Sequence, residues 1–299
     1  MKAAKIIVTC FVKRTLRKKT YLNGDPLGYF GHSQIFNRPE DIIKLIKYNI
    51  FLEKKINPGI NKRDLIIISN YTGFEEGERY LKEINQTKIP FGKIITCSRE
   101  NVGMSFGAYS YAFKKFKNKY DYFLFSEDDM IIAKKNYFKI GIDLFNSSYK
   151  AGYIAYIHSN RVHKRYYKDL KLNKDIALSC HGAIGLSSNK LLNKIFKKKG
   201  HLPHYNGNDY NKCITYGEIG FPNAFIKMGY KIVDLPKDLI LTVPASDLMR
   251  NIKYKKWPTV LEKTWFYVKK GTYDIFSLTK FTLKIYLLIL RLLKTLIKL

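Results

Sequence analysis

Acidic residues are scarce in this chain: 24 Asp and Glu stand against 54 Lys and Arg, a formal net charge of +30. So large an excess favours polyanionic partners, whether nucleic acid, an anionic membrane or phosphorylated substrates. The abundance of Lys, Ile, Asn and Tyr is also what nucleotide bias in a gene produces, so charge by itself selects none of the three. Cysteine is sparse too. Cys10, Cys97, Cys180 and Cys213 lie far apart and form no C-x-x-C pair, which excludes a zinc cluster or a compact disulfide framework and suits a reducing cytosol. No internal repeat and no recognised nucleic-acid-binding motif is present, so nucleic acid is not an expected partner. The opening "MKAAKIIVTCFVKRT" lacks the long apolar run and small-residue cleavage site of a signal peptide, because Lys5 interrupts it. It reads as a first β-strand.

What is present is material for a core. At 299 residues, 46% hydrophobic and 15% aromatic, the chain suffices for one large α/β domain or two smaller ones. The runs "KIIVTCFV" (5–12), "DLIIIS" (64–69), "KIITC" (93–97) and "YFLFS" (122–126) are short, β-branched or aromatic and nearly continuous, as in strands covered on both faces. Helical patterns separate them. "NRPEDIIKLIKYNIFLEKK" offers Asn37 as cap, Pro39 in the first turn and Glu40 at capping-box spacing. "SFGAYSYAFKKF" sets Phe106, Tyr109, Phe113 and Phe116 on one face before a Lys-rich end. This alternation predicts a mostly parallel sheet flanked by helices. Farther on, "AGYIAYIHS" and "YKIVDLP" read as strands, "SSNKLLNKIFKK" as a helix, and residues 204–217 as a loop.

The expected organisation is a domain over residues 1–250, with halves 1–132 and 133–250, followed by a basic extension over 251–299. In the tail, Lys280, Lys284, Arg291, Lys294 and Lys298 share one face of a helix over about 275–299 while Leu, Ile and Phe fill the rest. No uncharged run there approaches the roughly 20 residues that span a bilayer, so the helix is expected on an anionic membrane surface, the alternative being a terminal helix docked on the domain or on a second subunit.

The chemistry centres on "YFLFSEDDMII" (122–132), where an apolar strand runs into Glu127, Asp128 and Asp129. Adjacent anions repel, and at a strand end in an α/β sheet they offer hard oxygen ligands to Mn²⁺ or Mg²⁺, which take one or two carboxylates plus substrate phosphates. Upstream, Arg99, Asn101 and Gly103 lie between a strand and a helix N-terminus, a natural phosphate site. His158 and His181 could serve an acceptor, a diphosphate or a metal, or simply hydrogen-bond the fold; Trp257 and Trp265 could stack sugars or pack at a membrane interface.

"ENVGMSFGAYSYAF", "YDYFLFSEDDM", "CHGAIGLSSNKLL" and "YGEIGFPNAFIKMGYKI", in that order, resemble the GT-A nucleotide-sugar glycosyltransferases, particularly the glycosyltransferase family two group, over roughly residues 5–240. The resemblance implies a GT-A fold and an inverting, metal-dependent transfer from a nucleotide-sugar donor to a glycan or glycolipid acceptor in cell-surface polysaccharide or lipopolysaccharide biosynthesis. It also implies a peripheral position on the cytoplasmic face of a bacterial cell membrane. By that likeness Glu127 and Asp129 hold the metal. Thr9, Asn70, Arg99, Asn101, Gly103 and Asp128 serve the donor, and His181 and Gly182 lie on the acceptor side. Glu218 matches the general base, although Ile219 replaces the second acid of the family's usual pair, which leaves Asp209 in reserve. Asn70 stands where the family commonly has a base-binding Asp. A metal-dependent nucleotidyltransferase, or a non-catalytic basic protein binding membrane or nucleic acid, is the alternative reading.

Overall fold

The computed structural model describes residues 1–11, 39–162, 166, 170–173 and 175–244. Asn37, Trp257, Trp265 and the amphipathic tail lie outside the described residues. The first half alternates as its apolar runs dictate. β1 (Ala3–Thr9) is buried along its whole length, and α1 (Pro39–Lys55) begins with Glu40 and Asp41 and ends with Lys54 and Lys55, matching the helix dipole. β2 (Arg63–Tyr71), α2 (Glu75–Ile84), β3 (Lys88–Ile89) and β4 (Gly92–Glu100) follow. Then come α3 (Met104–Phe116), β5 (Tyr122–Glu127), β6 (Met130–Ile132) and α4 (Tyr137–Ser147).

The second half contributes β7 (Ala151–Ala155), the short pair β8 (Asn160–Arg161) and β9 (Leu178–Ser179), β10 (Gly185–Ser188) and α5 (Asn189–Lys199). Ser188 caps α5 by accepting from the Leu191 amide, and Gly200 ends it in the left-handed region. α6 (Tyr210–Cys213), a π-helical turn (Ile214–Ile219), α7 (Gly220–Ile226), β11 (Lys231–Asp234) and β12 (Thr242–Pro244) complete the described chain.

Eight strands form one sheet in the order β11-β7-β10-β5-β1-β2-β4-β3. The pairs β1–β2, β1–β5, β2–β4 and β7–β11 are parallel; β10 runs antiparallel between β5 and β7, and β3 antiparallel to β4. The α/β architecture with a mostly parallel sheet is therefore as expected. On one side, the aromatic face of α3 seals the sheet: Tyr109 and Phe125 rings lie 4.9 Å apart, Phe113 and Phe123 5.2 Å.

Two expectations need correction. The strand beginning at Ala3 stops at Thr9, short of Phe11. The stretch 204–217 is loop only as far as Asp209, because the Asp209 carboxylate accepts from the Lys212 amide as an N-cap and the following residues bury Cys213, Thr215 and Gly217.

A further departure concerns Lys5, which interrupts an apolar run yet is fully buried. Its Nζ lies 2.8 Å from Glu53 Oε1, Arg63 Nη2 lies 3.0 Å from Glu53 Oε2, and the Tyr137 hydroxyl donates to Oε2 at 2.6 Å. Desolvation alone would push the Glu53 carboxyl up; the Lys5 and Arg63 charges and the two hydrogen bonds outweigh it and hold it below the usual carboxylate range.

Candidate active site

Parallel strands that share a direction bring their carboxyl ends to one edge, and the candidate residues are distributed along it. Thr9 ends β1, Asn70 pairs in register with Arg99 near the ends of β2 and β4, and Glu127 ends β5 opposite Val8. The turn to β6 carries Asp128 and Asp129. Asp128 is buried and its Oδ2 accepts from Thr9 Oγ1 at 2.8 Å, while its backbone carbonyl accepts from Asn49 Nδ2 at 2.7 Å. These two expected donor-side residues thus hold each other and fix the turn.

Gly182 connects the acidic turn to Glu218. It sits in a single 3-10 turn (His181–Ala183) with φ of +55°, and a Cβ built on it would lie 3.1 Å from Glu127 Oε2. Its amide donates to Glu218 Oε1 at 3.3 Å, and its carbonyl accepts from the Tyr109 hydroxyl at 3.1 Å. His181 Nδ1 lies 3.6 Å from the same Glu218 oxygen, with its ring mostly exposed. Glu218 itself projects from the π-helical turn, whose wide coil releases its backbone carbonyl to the Cys180 amide at 3.1 Å. Glu127, Gly182, His181 and Glu218, far apart in sequence, are therefore neighbours.

Among the described residues, the charges that act on Glu127 are of one sign. Burial, and then the Asp129 carboxylate, push the Glu127 carboxyl up to about 8; Asp128 and Glu218 add to the rise and a hydrogen bond from Ser105 opposes it. Ser105 lies in the first turn of α3, two residues beyond Gly103, and was not anticipated; its place at a helix start facing a strand edge is the signal that could have found it. Tyr109, expected only as core, also reaches the site through its hydroxyl.

The Asn101–Gly103 loop is more occupied by protein than expected. Gly103, at φ of +75°, donates its amide to the Gly207 carbonyl at 2.9 Å, and a Cβ there would meet the Tyr205 carbonyl at 2.6 Å. Its missing side chain admits the chain's own 205–207 loop. Arg99 is a brace: Nη1 donates to Asn70 Oδ1 at 2.7 Å and Nη2 to the Val102 carbonyl at 2.8 Å. Asn101 Oδ1 is buried and, among the described residues, meets no donor, an unsatisfied acceptor beside the loop. Non-glycine residues with positive φ follow both glycines, Met104 at 49° and Ala183 at 46°, and such backbone strain gathers at functional sites. Asp209 is exposed and serves as the N-cap of α6.

Among the described residues no three His, Cys, Asp or Glu side chains converge as a ready-made metal cage. The donor set nonetheless fits a hard divalent ion: Glu127 and Asp129 would supply carboxylate oxygens and a substrate diphosphate the remainder.

No protein-family model matches the chain, and no curated protein matches it in sequence. Solved structures do resemble it. One, assigned as a glucose-1-phosphate thymidylyltransferase from Bacillus anthracis and in complex with a sucrose, is 14% identical at a TM-score of 0.45, over 83% of this chain and 93% of that one. Another, the mannosyltransferase PcManGT from Pyrobaculum calidifontis in complex with GDP-Man and Mn²⁺, is 10% identical at a TM-score of 0.43, over 79% of this chain and 55% of that one.

Proposed function

We propose that the protein is a GT-A glycosyltransferase that moves a sugar from a nucleotide-diphosphate donor to a hydroxyl of a glycan or glycolipid, with inversion and with Mn²⁺ or Mg²⁺. The observation that carries the reading is the placement of the Glu127–Asp129 turn and Glu218 on either side of Gly182, at the carboxyl edge of a parallel sheet. A divalent ion held by Glu127 and Asp129 would take up charge developing on the departing diphosphate. Glu218 accepts the proton of the acceptor hydroxyl at Oε2 or Oε1, and the Gly182 amide orients its carboxylate. His181, beside Glu218 and open to solvent, stands where an acceptor enters. Thr9 and Asp128 act by fixing the turn. A pathway in surface-glycan assembly rests on the resemblance to the GT-A glycosyltransferases, and a position at an anionic membrane on the basic composition; among the described residues no helix is long and apolar enough to cross a membrane.

The test is a panel of nucleotide sugars assayed for Mn²⁺-dependent binding and slow hydrolysis with wild type and Asp129→Ala. One donor is expected to bind only with metal, with the variant losing that binding. Release of nucleoside diphosphate identifies sugar transfer, whereas release of inorganic diphosphate from a nucleoside triphosphate and a sugar phosphate identifies a nucleotidyltransferase. Binding that is equal with and without metal, and in the variant, overturns the reading.

A further inference from the structure

A cavity of about 220 Å³ adjoins the π-helical turn, lined by Tyr216 and Gly220, the residues two before and two after Glu218. Three of its lining residues are lysines brought from two elements, Lys198 and Lys199 at the end of α5 and Lys227 at the end of α7. The described residues that line it include no carboxylate. Leu170, Leu172 and Met228 give it an apolar side.

Helix C-termini attract lysines, which accounts for a cation on each helix but not for their convergence on one cavity. Burial, followed by the charges of Lys199 and Lys171, draws the Lys227 ammonium below its ordinary pKa, and its Nζ donates to the Leu170 carbonyl at 2.6 Å, which holds it along the cavity wall with donors to spare. Two histidines complete the wall. His201 and His204 pack edge to face with centroids 4.8 Å apart, and the Nδ1 of each lies 2.8 Å from the Leu202 carbonyl. A carbonyl only accepts, so each Nδ1 carries its proton and Nε2 is the nitrogen left for a ligand. His204 also reaches Gly103, where a Cβ would lie 2.8 Å from its Cδ2.

We infer that this cavity binds an organic phosphate bearing an apolar substituent, with Lys198, Lys199 and Lys227 on the phosphate and Leu170, Leu172 and Met228 on the adjoining carbons. Its role as anchor for a phosphorylated amphiphilic acceptor rests on the transferase reading above; the binding itself does not.

Isothermal titration of the full chain with hexyl phosphate, hexanol and inorganic phosphate tests it. Hexyl phosphate is expected to saturate one site and to bind at least ten-fold more tightly than either of the others. The pair Lys199→Glu with Lys227→Gln should weaken it at least ten-fold, and Lys198→Glu, a single exposed change, keeps the test open should the pair not fold. Lys114→Glu, on α3, controls for net charge and should leave the affinity unchanged. Hexanol or inorganic phosphate binding as tightly as hexyl phosphate overturns the inference, as does affinity indifferent to the lysine variants. Asp129→Ala should not alter hexyl phosphate binding, so a failed donor assay with intact phosphate binding removes the transferase reading alone.

Discussion

The protein holds two clusters of charge built on opposite plans. Lys5, Glu53 and Arg63 mix signs in the interior, and Glu53 accepts from Lys5, Arg63 and Tyr137. Glu127, Asp128, Asp129 and Glu218 share one sign at the sheet edge, and each neighbour raises the Glu127 pKa. Opposite charges that meet in the interior serve the fold, even though burial draws the Lys5 ammonium below its ordinary pKa and Arg63 Nε and Nη1 meet no acceptor among the described residues, whereas carboxylates gathered with like neighbours would be stabilised by a cation that arrives from outside. The comparison therefore separates a cluster that serves the fold from the one proposed to serve the chemistry, without reference to any relative.

Breaking the interior cluster should have the largest effect on stability. Glu53→Gln leaves Lys5 and Arg63 buried without their anion, and the expected loss is about 3–5 kcal/mol in denaturant unfolding. The pH dependence follows from the depressed Glu53 pKa. In the range around and below the ordinary carboxylate value of about 4.3, the unfolded chain binds a proton that the folded chain does not. Its stabilisation is thus complete above that value and is lost as pH falls through the folded pKa, and Glu53→Gln should show a shallower acid slope by up to one proton. An unchanged slope would place Glu53 outside the balance that stabilises the fold.

At the edge, the order of effects reverses between stability and rate. Glu218→Gln keeps the Gly182 amide contact through its side-chain oxygen while removing the proposed base, so on the transferase reading the transfer rate should drop by about 10²–10⁴ with donor affinity and melting temperature nearly unchanged. Parallel loss of donor affinity would assign Glu218 to binding instead of proton transfer.

The sequence made the sheet legible because its strands are buried on both faces and its helices carry their own caps and stripes, all of them local patterns. The aromatic face of α3 and the acidic end of β5 belong to that local information. What escaped depends on distant partners. Lys5 looks like an interruption until Glu53 and Arg63 stand beside it, and Thr9 and Asp128, 119 positions apart, form one hydrogen bond. The insertion of β10 between β5 and β7 joins strands whose pairing no local period encodes. Residues 210–217 are rich in loop-forming types, yet the Asp209 cap and the burial of Cys213, Thr215 and Gly217 make them helical. Glu218 came forward only through the likeness of the ordered motifs to the GT-A glycosyltransferases, since by type and setting it reads as a surface glutamate; its meeting with Glu127 across Gly182 was not legible at all, since it requires the turns 181–183 and 214–219 to pack together.

The smallest expected effect is also the one that tests the contrast most directly, because it concerns a sign. Glu127→Gln preserves shape and removes one of four like charges, so in metal-free buffer near pH 8 it should stabilise the protein by about 1 kcal/mol, which corresponds to a rise of roughly 2–4 °C in melting temperature. Added Mn²⁺ should raise the melting temperature of wild type, since a ligand that binds only the folded state stabilises it by mass action, and should raise that of the variant much less. The two substitutions Glu53→Gln and Glu127→Gln are chemically identical, and opposite signs in the absence of metal follow only from the company each carboxylate keeps. A metal-free Glu127→Gln protein that melts lower than wild type would show the edge cluster to be compensated like the interior one, and the distinction between them would fall.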